Sequence, residues 1–312
     1  MKVLLLTPKN PPNYTDALYL ALRAQVGTCD YFPLDERQSN NLEDFFRRYI
    51  RLAHFDRILL MYSGQFIYQQ SPFLRRLPTV AVLSLSQKQP SGAEQKKMLS
   101  NLKTMPWMRW IGTNPLFCRE YQSLGFDAQW IPPSFNSAIY NAQNEPRMRS
   151  HCHIYAEETN RNELLMRLAQ FNLTLHCYDP ADDVEALAGH IMPEDIFIHW
   201  CNDSADIEAL IRAQACGAVV LTRDMSIDDR VLYGFQTEEN LIFPHELARV
   251  SDRVAQLLNQ RELRAQISRG AVEKAKAFAP ATVGKRIGRH IEATVRNPKN
   301  YSMKQRIFGF DI

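Results

Sequence analysis

A polar stretch, Cys201-Asn202-Asp203-Ser204, stands between an apolar run, Ile196 to Trp200, and a helical pattern in which Ile207, Leu210 and Ile211 share one face. Asn, Asp and Ser at a helix start cap its first amides, and those amides also hold anionic groups such as phosphate. Capping alone and ligand contact are therefore competing readings of Asp203 and Ser204. The other residues with reactive or ligating side chains point less clearly to chemistry. His151, Cys152 and His153 form a short His/Cys tract, but neighbours on a strand face opposite ways, so ordinary strand residues are expected rather than a metal site. Cys216, between Ala215 and Gly217, reads as a small buried hydrophobe where a helix packs on a sheet. The six cysteines include no CxxC pair, and reduced thiols of a cytoplasmic protein are expected.

The elements that would position the polar stretch follow one another without a gap. Ile196 to Trp200 is of strand length, Asp206 to Gln214 is helical, Gly217 turns the chain, and Ala218 to Leu221 is a second buried run. Two parallel strands joined through a helix form a right-handed βαβ crossover, and α/β proteins bind anions at the carboxyl ends of such strands. The rest of the chain repeats the pattern. Strands are expected at Lys2 to Leu6, Cys29 to Pro33, Arg57 to Met61, Thr79 to Leu85, Trp110 to Thr113, Gln129 to Pro132, His151 to Tyr155, Leu173 to Tyr178 and Asn240 to Phe243. Helices are expected at Asp16 to Ala24, Leu42 to Ala53, Pro115 to Leu124, Asn162 to Ala169, His245 to Asn259, Arg261 to Phe278 and Ala281 to Arg296. The fold class is α/β, with two Rossmann-like domains and a helical C-terminus. Pro8 to Tyr14 holds three prolines and no glycine, so no dinucleotide fingerprint follows the first strand.

A chain of 312 residues exceeds the size at which one core stops growing, so two domains of about 150 residues are expected. Polar, weakly periodic Ser137 to Ser150 reads as the linker, giving domains at 1–143 and 144–280 and a terminal segment at 281–312. A net charge of +3, with 37 basic and 34 acidic residues interspersed, argues against a nucleic-acid binder. The opening MKVLLLTPKNPP reads as a first strand, too short for a signal peptide or a membrane span. The basic pairs Arg75/Arg76, Lys96/Lys97 and Lys285/Arg286 suit either solvated helix faces or peripheral contact with an anionic membrane.

The order IEALIRAQACGAVVLTRD, YGFQTEENLIFPHELARVSDRVAQLLN and RELRAQISRGAVEKAKAF resembles the C-terminal half of group 1 glycosyltransferases. NRNELLMRLAQFNLTLHCYD looks like the opening of that half in the spore-maturation type, and REYQSLGFDAQWIPPSF resembles the end of the first domain. The likeness covers most of residues 110 to 280. It implies a GT-B architecture, with two Rossmann-like domains facing across a cleft and a C-terminal segment crossing back to the first. The implied reaction moves a sugar from a UDP- or GDP-linked donor to a glycan, lipid or protein acceptor. It implies no metal or other cofactor, retention of configuration, and action in the cytoplasm at the inner face of the membrane.

The resemblance places the donor against the second domain. Arg161 is the candidate for its phosphates, Tyr178 and Asp179 border the base, Asn202, Asp203 and Ser204 contact it at the helix start, and Arg223 follows the strand near the sugar. A solvated arginine, a half-buried strand-end tyrosine, an N-cap and a surface ion pair are the plainer accounts of Arg161, Tyr178, Asp203 or Ser204, and Arg223. Two glutamates common in the family, one of which holds the donor ribose, are here Ser204 and Arg212. An arginine donor cannot replace a carboxylate acceptor, and Glu208, one turn before Arg212, is its expected ion-pair partner. On the acceptor side, Ser84, Ser86 and Lys88 occupy the place of the family's histidine. No side chain is assigned as catalytic. These departures keep a second class open: a catalytically silent GT-B-like partner or scaffold for another transferase.

Overall fold

A computed structural model gives the fold and describes residues 1–9, 15–84, 92–180, 187, 189–201 and 207–297, with the backbone of 306–307 and 310–311. Contacts divide the chain into two units: Met1–Pro133 with the segment from Val283 onward, and Ser134–Thr282.

The first unit contains β1 (Lys2–Pro8), α1 (Thr15–Val26), β2 (Thr28–Leu34), α2 (Glu36–Asn40), α3 (Leu42–Tyr49), β3 (Arg57–Tyr62), α4 (Gly64–Gln69), α5 (Ser71–Leu74) and β4 (Val80–Ser84). It continues with α6 (Ala93–Leu102), β5 (Arg109–Gly112), α7 (Pro115–Ser123) and β6 (Asp127–Trp130). Its six strands are all parallel, in the order β2-β1-β3-β4-β5-β6. Period-two alternation sends the apolar side chains to two cores. Leu4, Leu6, Ile58 and Leu60 pack with Phe45, Phe46 and Phe73, whereas Val3, Leu5, Leu59 and Met61 pack with Leu18 and Leu22 of α1. Asn114 caps α7 by accepting from the Leu116 and Phe117 amides, with Pro115 at the first helical position. Gly112 is required where this helix turns back, because a Cβ there would lie 2.6 Å from the Phe117 ring.

The second unit contains β7 (His151–Ala156), α8 (Glu158–Leu168), β8 (Thr174–Tyr178), β9 (Ile196–Trp200), α9 (Ile207–Ala215), β10 (Val219–Thr222), α10 (Ile227–Tyr233), α11 (Val250–Asn259) and α12 (Arg261–Ala275). Its parallel sheet runs β10-β9-β7-β8. Cys152, Ile154, Ile196, Ile198, Val219 and Leu221 face a core closed by α8, α11 and α12. The opposite face carries a polar series on β7 and β8, treated below. Gly217, at φ +80°, makes the turn between α9 and β10, where a Cβ would press on the Pro193 backbone at 3.3 Å. The stretch Ser137 to Ser150, expected as a linker, belongs to this unit and packs into it through buried Tyr140, with Phe135 buried just before it.

Beyond this unit α13 (Pro280–Glu292) returns the chain to the first, where Val283, Ile287 and Ile291 complete the core over β1 and β3. Gly284 lets the helix approach α1, since a Cβ would lie 2.9 Å from that of Ala21.

Several elements differ from their expected bounds for local reasons. The helix expected over Leu42 to Ala53 ends at Tyr49, where Ile50 is extended, and a short 3-10 turn follows. Asn240 to Phe243 forms no full strand; Ile242 makes a single parallel bridge to Leu221. The α10 helix, IDDRVLY, was not expected, because its exposed Ile227 and Val231 break the apolar periodicity of a core-facing helix.

Candidate active site

In the second unit the direction of winding reverses between β7 and β9, and at such a switch point open α/β sheets bind ligands in the crevice at the carboxyl ends of the strands. The loop after β7 carries Glu157 and Glu158 into the first turn of α8. Two carboxylates there oppose an anion at the bare helix start. Positive charge comes instead from Arg161, one turn further along. Its Nη1 lies 3.4 Å from Asp179 Oδ2, just after β8, so the first strand-end loop is linked to the second. The pair is half-exposed, and such pairs are weak enough for the guanidinium to exchange its partner for a phosphate.

Across the crevice, Arg223 Nη1 donates to the Cys201 carbonyl at 3.0 Å, linking the ends of β9 and β10. Cys201 Sγ contacts the Tyr155 carbonyl at 3.5 Å, tying β9 to β7. Asn202, Asp203 and Ser204 lie outside the described residues. Glu208 and Arg212 are joined at 3.4 Å along α9, and the Arg212 guanidinium lies 5.3 Å from the centre of the Tyr140 ring. Arg212 is thus engaged within its own unit, in the helical pairing its spacing suggested.

Tyr178 belongs to a buried network absent from the sequence reading. His153 is fully buried on β7; its Nε2 lies 3.1 Å from Asp195 Oδ2 and its Nδ1 3.1 Å from the Tyr178 hydroxyl. Asp195 also accepts the Met192 amide at 2.9 Å, so its buried charge is satisfied twice. Each ring nitrogen of His153 thus has a hydrogen-bonding partner, a carboxylate at Nε2 and a phenol at Nδ1. Beside it His176 and His151 stack in register, with His151 Nδ1 2.9 Å from His176 Nε2 and 2.6 Å from Arg147 Nη1. Burial, and then the neighbouring cations and imidazoles, hold the His151 and His176 pKa values below the usual 6.5. Burial likewise raises that of Tyr178. The signal available in sequence was the His-x-His of β7, but it needed the β7–β8 register to be interpreted.

In the first unit Ser84 ends β4, beside Tyr62 on β3 and Gly112 on β5. Ser86 and Lys88 lie outside the described residues. The Tyr62 hydroxyl at the same sheet edge meets Ser39 Oγ at 3.1 Å, and burial pushes its pKa up to about 12. Among the described residues no group of three or more His, Cys, Asp or Glu converges to hold a metal ion. All six cysteines are free, and burial pushes the Cys216 thiol up to about 12, which leaves it a packing group.

No protein-family model matches the chain, and no curated protein matches it. Solved structures match over almost its full length. The HepE protein of Anabaena in complex with UDP aligns with a TM-score of 0.59 at 12% identity, covering 94% of this chain and 100% of that one. The sucrose-phosphate synthase of Thermosynechococcus elongatus gives 0.58 at 12% identity, covering 93% and 98%. A glycosyltransferase of Rickettsia africae gives 0.58 at 10% identity, covering 94% and 99%. The chain has the two-domain Rossmann-like fold that these structures share, GT-B.

Proposed function

We propose that this GT-B-fold protein is a glycosyltransferase that moves a sugar from a nucleoside-diphosphate donor to an acceptor hydroxyl. The observation that carries the reading is the pair of arginines at the switch-point crevice, Arg161 from the β7 side and Arg223 reaching back to β9. They supply the cationic charge that a departing diphosphate needs, where the helix start is itself acidic. The structural neighbour HepE is described in complex with UDP and with UDP-glucose, which supports a uridine donor. In this reading Tyr178 and Asp179 border the base, Asn202, Asp203 and Ser204 contact the donor, and Ser84, Ser86 and Lys88 serve the acceptor side. The acceptor is a glycan, lipid or protein of the cell surface, the reaction retains configuration without a metal, and the spore-maturation type is the subgroup. No helix among the described residues is long and apolar enough to cross a membrane, and peripheral attachment at the inner face is part of the proposal.

The second reading, a silent partner of an active transferase, is favoured by Arg212, whose engagement with Glu208 and Tyr140 leaves no carboxylate at that place for a ribose. A thermal-shift series with UDP, GDP and their glucose and mannose conjugates tests the main proposal. A ligand at a hundredfold its Kd stabilises the native protein by about 2.7 kcal/mol, several degrees for a chain of this size. No shift with any of them at millimolar concentration defeats donor binding. A shift without product in the presence of acceptor extracts favours the silent partner.

A further inference from the structure

His245 stands just beyond Ile242, which bridges to β10, at the same edge of the sheet as the two arginines. Its backbone is left-handed, at φ +69°, and its ring is largely exposed. Its Nδ1 lies 2.7 Å from Asp224 Oδ2, and the other oxygen of that carboxylate receives Arg230 Nη2 at 2.7 Å. The Arg230 guanidinium is itself packed on the Phe243 ring at 3.9 Å. Asp224 is therefore fixed from one side by Arg230 and fixes the imidazole from the other. A carboxylate on Nδ1 sets the tautomer, leaving Nε2 as the outward nitrogen that accepts a hydrogen bond. Nε2 has no partner among the described residues.

The order of groups along the carboxyl edge gives this nitrogen its place. From β8 to the bridge the edge presents Asp179, Arg161, the Cys201 carbonyl, Arg223 with Asp224, and then His245. Neighbouring strands are ~4.8 Å apart, so His245 lies two to three spacings from the crevice between β7 and β9. Those spacings separate a diphosphate at the crevice from a group bonded to its far end. We infer that His245, held by Asp224, is the donor site's sugar-recognising residue, accepting a hydroxyl of the transferred sugar at Nε2. The inference rests on the reading of this crevice as a nucleotide-sugar site. In these terms His245 is a specificity residue, and no proton transfer is assigned to it.

The replacement His245→Asn isolates Nε2, because asparagine keeps a donor close to the Nδ1 position and tolerates the left-handed backbone. Calorimetry on the full chain compares UDP with UDP-glucose and GDP with GDP-mannose. For the pair that the wild type binds, the ratio of the sugar nucleotide's Kd to that of the bare diphosphate should rise about five- to tenfold in His245→Asn, the effect of one lost hydrogen bond. Asp224→Asn, which releases the ring without removing it, should raise the ratio by a smaller factor and carries the test should the first variant not fold. An unchanged ratio overturns the inference while leaving the donor site intact, as does an equal loss for both ligands. A wild type that binds none of the four at millimolar concentration overturns the reading of the crevice and the inference together.

Discussion

Arg161 is where the chemistry of the crevice can be tested with a single side chain. Its bond to Asp179 is long and half-exposed, so its loss should cost the fold less than about 1 kcal/mol. A guanidinium–phosphate hydrogen bond, charged on both sides, contributes more than that. Arg161→Ala should therefore weaken binding of the responsive nucleotide about tenfold in calorimetry while moving the Tm of the free protein by no more than 2–3 °C, and a large Tm loss with unchanged affinity would make the arginine structural. The Glu208–Arg212 pair was legible because an i,i+4 spacing is a local property, whereas Arg161, expected at a loop-to-helix junction, stands one turn inside α8. The roles of His153, Asp195 and His245 were not legible, because each depends on a partner at least 21 residues away, and Asp224, which follows Arg223 in sequence, pairs with Arg230 and His245. Spacing along the chain carries no trace of such a pair.

At the scale of elements, the apolar runs of β1, β3 and β9 were readable because strands buried on both faces need no alternation of polarity. Helix starts were less so: α8 begins four residues before the expected Asn162, because acidic Glu158 suits a first turn although it adds nothing to the apolar stripe. The pairing of β7 with β8 has a consequence in acid. His151 and His176 are held below their ordinary pKa of 6.5 in the fold, so the unfolded chain takes up their protons first. Their contribution is fully present above pH 6.5 and is lost as the pH falls from there through the lower folded values. The groups that face them, Arg147, His153, Tyr178 and Asp195, include one carboxylate against one fixed cation. Thermal melts from pH 7.5 to 5 should show Tm falling below pH 6.5. The double variant His151→Phe/His176→Phe, which keeps two flat rings without their protons, should melt with a shallower slope. An identical slope would remove these histidines from the account.

At the scale of the whole molecule, the first unit is built from two separate lengths of chain. Val283, Ile287 and Ile291 are each fully or almost fully buried against β1, β3 and α1. At about 1.5–3 kcal/mol for each buried aliphatic side chain, the three together supply on the order of 5 kcal/mol, comparable to the entire stability of many domains. A chain truncated before Val283 should keep a cooperative transition for the second unit in circular dichroism and lose that of the first. Two intact transitions would contradict the assignment of α13 to that core. The same arrangement sets an order of events at the ribosome. Residues 134–282 form one uninterrupted length, so the second unit can close while α13 is still being made. The first unit, although its six strands emerge earlier, must wait with one sheet face covered by α1 but not by α13 until about 150 further residues have been added, roughly 10–30 s at ordinary rates of synthesis. The part of the protein synthesised first is thus the part finished last, and during that interval it is the natural client for a chaperone that shields apolar surface.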